Sequence, residues 1–164
     1  MSGVALRRTP GLADRGSVRL WLRMLSLTTM IEKRLRRAFE ARFPITLPRF
    51  DVMAALDRHP EGMRMTALSR ELLVSNGNVT GLVRGLKRDG LIDIHRVPSD
   101  GRAAMVRLTE AGQALFDDMA EAHRQWIDAM LGDLAVGDRD RLYDLLGALK
   151  ASLARHDPDQ ETRT

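Results

Sequence analysis

The apolar positions of this chain repeat with two periods, three-to-four and two, and the order of those periods predicts its elements. Leu20, Met24, Leu27, Ile31, Leu35 and Phe39 form one stripe of a long helix over 17–43. Pro44 ends that helix. Thr46-Leu47-Pro48 opens a second, with threonine as N-cap and proline tolerated in the first turn; Phe50, Met53, Ala54 and Leu56 give its buried side. His59-Pro60-Glu61-Gly62 punctuates its end, and Thr66 is the expected N-cap of a short helix through Leu73. Ser75 then caps a helix over 76–89, with Gly90 as its C′ residue and Val79, Leu82, Val83 and Leu86 as its core face. Alternation takes over in 91–97 and again in 104–108, around a Pro-Ser-Asp-Gly turn, which predicts a hairpin. The helical period returns after Thr109-Glu110, with a stripe of Leu115, Met119, Ala122, Trp126 and Met130. It returns again after a break at 132–137, where Asp138 is the expected N-cap and Leu142, Leu145, Leu146, Leu149 and Leu153 make the apolar face.

The order is four helices, a hairpin and two more helices: mainly α with a small β-hairpin wing. A compact winged helix-turn-helix over 47–108 is flanked by long amphipathic helices over 17–46 and 109–155, with aperiodic tails at 1–16 and 156–164. Such long apolar stripes suit a partner surface, so the end helices read as a dimerisation domain.

Charge sharpens this picture. Residues 1–50 carry 11 Lys/Arg and 3 Asp/Glu, net +8; 51–109 are net +2 and 110–164 net −6, within a total of +4. That asymmetry suits a protein that binds a polyanion with one end. On the helix over 76–89, Gly77, Thr80, Gly81, Arg84 and Arg88 lie opposite the core face, with Asn76 and Lys87 at its flank. Asn76, Asn78 and Thr80 are expected to meet base edges or nearby phosphates, Arg84 to reach guanine, and Lys87 and Arg88 to sit on phosphate, with Ser75 also among the expected DNA-binding residues. The bland alternative for the asparagines is local capping of the turn. Gly77, Gly81 and Gly85 read either as close approach to a nucleic acid or as tolerance on a solvated face, since this is no phosphate-binding P-loop.

Other chemistries find little support. Cysteine is absent, which removes disulfides and thiolate chemistry. The four histidines show no metal spacing, and no hydrolase or phosphate-loop motif is present, so the chain does not read as an enzyme and no cofactor or metal is expected. No apolar run approaches a membrane span and the N-terminus has no apolar signal core; a cytoplasmic protein without a membrane partner is the expectation.

Three stretches resemble the MarR-type winged helix-turn-helix transcriptional regulators. VSNGNVTGLVRGLKRDGLI is similar to that family's recognition helix and its terminating glycine. DGRAAMVRLTEAG resembles its Asp-x-Arg wing signature and the opening of its fifth helix, and ITLPRFDVMAAL its second helix. The resemblance covers roughly 17–153. It implies a homodimer interlocked through its first, fifth and sixth helices, reading a pseudo-palindromic operator in double-stranded DNA. It places the helix from Asn76 in the major groove and the wing, with Arg96, Asp100 and Arg102, at the minor groove, where Asp100 would brace Arg102. The link between Arg96 and Asp100 is short against many members.

The family also implies a repressor released by a small-molecule effector. SLTTMIEKRLRRAFEARF with SNGNVTG is similar to members controlling aromatic or hydroxycinnamate catabolism, which points to an aromatic acid or an aromatic acyl-CoA. Thr29, Met30, Lys33, Arg36, Phe50, Met53 and His123 are the expected effector residues. The rival class is a winged-helix protein-interaction module without specific DNA binding.

Overall fold

The structure is a computed structural model that describes the backbone of residues 12–97 and 100–155, and the side chains of 16–95 and 104–155. Six helices and three strands follow in the order α1 (Leu12–Arg42), α2 (Leu47–Asp57), β1 (Met63–Arg64), α3 (Met65–Glu71), α4 (Asn76–Arg88), β2 (Ile92–Val97), β3 (Asp100–Leu108), α5 (Glu110–Leu131) and α6 (Val136–Arg155). The expected mainly helical fold with a small β wing is therefore present.

The differences lie at element edges and have local causes. The first helix begins at Leu12, inside the stretch expected to be a tail. Arg64, in extended conformation, stands at the N-cap of α3, so Thr66 lies inside the helix. Helix α6 starts at Val136, and the amides of Asp138 and Arg139 already donate to the Ala135 carbonyl; Asp138 is a first-turn acid and not the cap. The last tail, 156–164, lies outside the described residues.

A third strand escaped prediction. β1 is two residues long, too short to show a period, and it pairs antiparallel with β3 through Met63↔Val106 and Arg64↔Met105. β3 is thereby the middle strand, with β2 on its other edge in the register Ile92↔Leu108 to Arg96↔Ala104. Gly62 leads into β1 at φ +94, and a Cβ there would stand 2.9 Å from the Val106 carbonyl oxygen. Only glycine meets both conditions cheaply.

Two compact units divide within α5, one through His123 and one from Arg124 onward. The core lies wholly in the first. Phe39, Val52, Met53, Leu56, Leu68, Val79, Leu86, Val106 and Met119 are sealed from solvent. The Phe39 ring lies tilted against Phe50 at 4.8 Å, and Phe50 stacks on Phe116 at 5.5 Å, which ties α1, α2 and α5 into one aromatic cluster.

The start of α5 is bolted to the end of α4. The Thr109 hydroxyl donates to the Gly90 carbonyl at 2.8 Å and accepts from the Gly112 amide at 3.0 Å, while the Thr109 amide donates to the Leu91 carbonyl. A Cβ on Gly112 would lie 1.9 Å from that Leu91 oxygen. The Leu-Thr-x-x-Gly run of the sequence is thus a backbone contact that admits no side chain.

The second unit holds the end of α5 and α6. No residue of α6 is buried: Leu142, Leu145, Leu146 and Leu153 of its expected stripe are exposed, as is Tyr143. The N-terminal half of α1 behaves likewise in the first unit, with Leu20, Trp21, Leu22, Leu25 and Leu27 about half exposed. Among the described residues, no helix is long and apolar enough to cross a membrane.

Candidate nucleic-acid interface

Helix α4 owes its placement to its own sequence. Ser75 is extended and its hydroxyl accepts from the Asn78 amide at 3.4 Å, the expected cap. Val79, Val83 and Leu86 are buried against α2 and α3. At the far end Gly90 takes φ +74, and its amide and that of Leu91 close on the carbonyls of Lys87 and Leu86. The turn from α3 is tight enough to put Leu73, a non-glycine residue 92% exposed, in the left-handed region at φ 54.

With its core face committed, α4 presents Asn76, Gly77, Asn78, Thr80, Gly81, Arg84, Lys87 and Arg88 to solvent. A Cβ at Gly77 or Gly81 would meet nothing within 4 Å, so these glycines keep the surface low without any packing need inside the protomer. Arg84 and Lys87 have no ion pair or hydrogen bond among the described residues, whereas Arg88 Nε lies 3.5 Å from Asp89. The smaller polar groups are engaged locally. Asn76 Oδ1 accepts from the Ser69 hydroxyl, tying α4 to α3, and the Thr80 hydroxyl donates to the Asn76 carbonyl at 2.7 Å. The Asn76 side-chain oxygen is thus held by a side chain of α3 and caps no backbone amide among the described residues.

The wing is the β2–β3 hairpin. Its register shifts between Arg96 and Val97, where Val97 pairs with Asp100, so Asp100 and Gly101 of the expected turn belong to β3; residues 98 and 99 lie outside the described residues. The side chains of Arg96, Asp100 and Arg102 lie outside the described residues.

A cavity of about 310 Å³ opens between α1, α2 and the middle of α5, lined by Thr28, Ile31, Glu32, Leu35, Leu47, Asp51 and His123. Of the seven expected effector residues, only His123 lines it. Phe50 and Met53 are buried, His123 sits 5.1 Å from the Phe50 ring, and Arg36 pairs with Glu32 at 2.6 Å. Thr29 turns its hydroxyl onto the Leu25 carbonyl; Met30 and Lys33 are exposed. Burial holds the His123 imidazole below its ordinary range, so it is neutral near pH 7. Partial burial, then the Glu32 carboxylate, raise Asp51 above the usual aspartate range, against the pull of Arg36. Thr28, Ile31, Glu32 and Leu35 share one helical face of α1, so a hydroxyl and a carboxylate alternate there with apolar groups.

Comparison with known proteins gives this geometry its relatives. The MarR family's sequence profile matches residues 43–103, from the end of α1 into the wing. The transcriptional activatory protein BadR of Rhodopseudomonas palustris is 32% identical over 123 residues, covering 73% of this chain and 70% of BadR. The chain belongs to the MarR family. A crystal structure of a MarR family transcriptional regulator from Silicibacter pomeroyi superposes with a TM-score of 0.74 at 32% identity, covering 88% of this chain and 99% of that one. The transcriptional repressor YetL of Bacillus subtilis is 25% identical, covering 83% of this chain and 81% of YetL. This MarR-family chain is accordingly a transcriptional regulator and not an enzyme.

Proposed function

We propose that the protein acts as a homodimer on double-stranded DNA, with α4 in the major groove and the β2–β3 wing beside it over the minor groove. The observation that carries this reading is the outer face of α4: low, glycine-bearing, and furnished with the free cations Arg84 and Lys87. In this reading Arg84 meets a guanine edge, and Lys87 and Arg88 meet phosphate. By the family resemblance, Arg102 completes the wing contact. The bare apolar faces of α6 and the first half of α1 support dimerisation, since the exposed leucines of either face are wasted in a monomer. Two copies related by a two-fold axis would read half-sites about 34–36 Å apart.

The test is a fluorescence titration of the full chain against the duplex upstream of its own gene, in a salt series. Binding that weakens steeply with salt supports the reading; salt-independent or absent affinity overturns it in favour of a protein-interaction module.

We further propose a repressor released by an aromatic effector seated in the cavity on α1, α2 and α5. The volume suits one ring and its substituents. Glu32 and Asp51 at the cavity disfavour a free aromatic carboxylate, whereas an acyl thioester is uncharged at its aromatic end and a ring hydroxyl could donate to either acid. The CoA portion would stay outside, near the basic face of α1. Thermal-shift comparison of hydroxycinnamate with its CoA thioester decides between them: the thioester alone should raise the melting temperature, and the absence of any shift removes this effector class.

A further inference from the structure

The ion pair between Arg49 and Asp89 joins residues 40 apart in sequence and spans from α2 to the end of α4. Its two partners are unequal. The Arg49 side chain is only 16% exposed, against 37% for Asp89. Arg49 Nε is out of reach of solvent and has no hydrogen-bond partner among the described residues, so Asp89 is the group that answers its charge. The guanidinium lies along α4 at Gly85, where an added Cβ would come to 4.0 Å of both Nε and Cζ.

Asp89 is itself out of place by helix electrostatics. It is the C-cap of α4, where the helix presents its negative end and a carboxylate is disfavoured. The arginine supplies the cation that such a position wants, and holds the Asp89 carboxyl below the usual range. On α2, Leu47 and Asp51 line the cavity while Arg49, two residues from each, faces away from it toward α4.

We propose that Arg49 is a positioning residue for DNA binding: its pair with Asp89 fixes the C-terminal half of α4, and its charge is spent on that clamp and not on phosphate. This rests on α4 being the DNA-reading helix. The core contacts of Val79, Val83 and Leu86 hold α4 along one side, and the clamp sets how far it can roll about that side. Arg84, Lys87 and Arg88 sit within a turn of the clamp and move with it.

The test sets the clamp against plain charge. If Arg49 and Asp89 acted only through their fields, Arg49→Met would weaken DNA binding and Asp89→Asn, which removes a negative charge beside phosphate, would strengthen it. The clamp predicts that both substitutions weaken binding, each roughly tenfold, about 1.4 kcal/mol, with the slope of affinity against salt unchanged. Arg49→Lys should recover part of the loss, and Arg49→Met/Asp89→Asn should be no worse than the weaker single variant. Asp89→Asn should also lower the melting temperature more than Arg49→Met, since it strands a shielded guanidinium whereas water can reach the bare aspartate. Tighter binding by Asp89→Asn, or a slope that falls by about one in Arg49→Met, overturns the proposal. Amide hydrogen exchange gives a readout that needs no DNA: residues 85–91 should exchange faster in both single variants. If wild type binds no duplex, the DNA-binding reading fails, and unchanged exchange would then reject the clamp on its own account.

Discussion

Helix α4 and helix α6 carry apolar stripes of the same period and meet opposite fates. Val79, Val83 and Leu86 of α4 are buried against neighbours in the same chain, whereas α6 buries nothing and shows Leu142, Leu145, Leu146 and Leu153 to solvent. Helix α1 contains the contrast within itself: Leu35 and Phe39 are buried, while Leu20 and Leu27 on the same stripe are half exposed. Periodicity says which face must be covered; it does not say what covers it. In α4 the cover is the rest of the lobe, and in α6 and the start of α1 we assign it to a second copy of the chain.

The most severe way to break this comparison is a charge on the bare stripe. Leu146→Glu should be near neutral for a solvent-facing monomer helix, within about 0.5 kcal/mol. If a second copy covers it, an unpaired buried charge should weaken the dimer by at least ~100-fold, measurable by sedimentation, with the circular dichroism of the protomer retained. A buried counterpart comes next. Gly112→Ala drives a methyl group into the Leu91 carbonyl and should cost the lobe about 3 kcal/mol, read as a lower urea midpoint. Dimer affinity should fall only as far as α5 is displaced.

The contacting face of α4 is sharpened by a smaller change. Lys87→Ala should leave stability untouched and reduce the salt slope of DNA binding by roughly one; an unchanged slope takes Lys87 off the contact surface.

The pH dependence separates the lobe from the bare stripes in another way. The folded His123 imidazole titrates below its ordinary value of 6.5, so the unfolded chain binds a proton first as pH falls. Stability from this group is present above that value and lost as pH drops through the window below it. Asp51, with its pKa raised, runs the other way: its contribution is present below the ordinary aspartate value of 3.8 and lost as pH rises through the folded value. Between about pH 7.5 and about pH 5.5 the histidine effect should dominate. The melting temperature should fall on acidification in wild type and fall less in His123→Phe; equal slopes would remove the histidine from the account. The smallest effect is expected at Leu73, where Leu73→Gly relieves the left-handed turn and should stabilise by up to about 1 kcal/mol in thermal unfolding.

What could be read from the sequence divides along the same line. The core face of α4, the Ser75 cap and Gly90 stop were legible because each is local, set by residues within one or two turns. The exposure of the arginine-bearing face followed from the same wheel. The two-residue strand β1 was not legible, since it exists only by pairing with β3. Nor was the Arg49–Asp89 clamp, whose partners are brought together by the packing of α2 on α4. The cavity shows the limit most clearly. Phe50 and Met53, expected as effector residues and also as the buried side of α2, are in the core. The cavity is lined instead by Ile31 and Leu35 of the α1 stripe together with Glu32 and Asp51, which no local period singles out.

The central claim is that the exposed stripes belong to a two-fold DNA-reading assembly. Sedimentation velocity of the full chain, alone and with the duplex upstream of its gene, tests it most directly. The account predicts a particle of twice the 18.4 kDa protomer mass at micromolar concentration, and two chains per duplex in the bound boundary. An 18.4 kDa monomer that leaves the duplex free at low salt would contradict it.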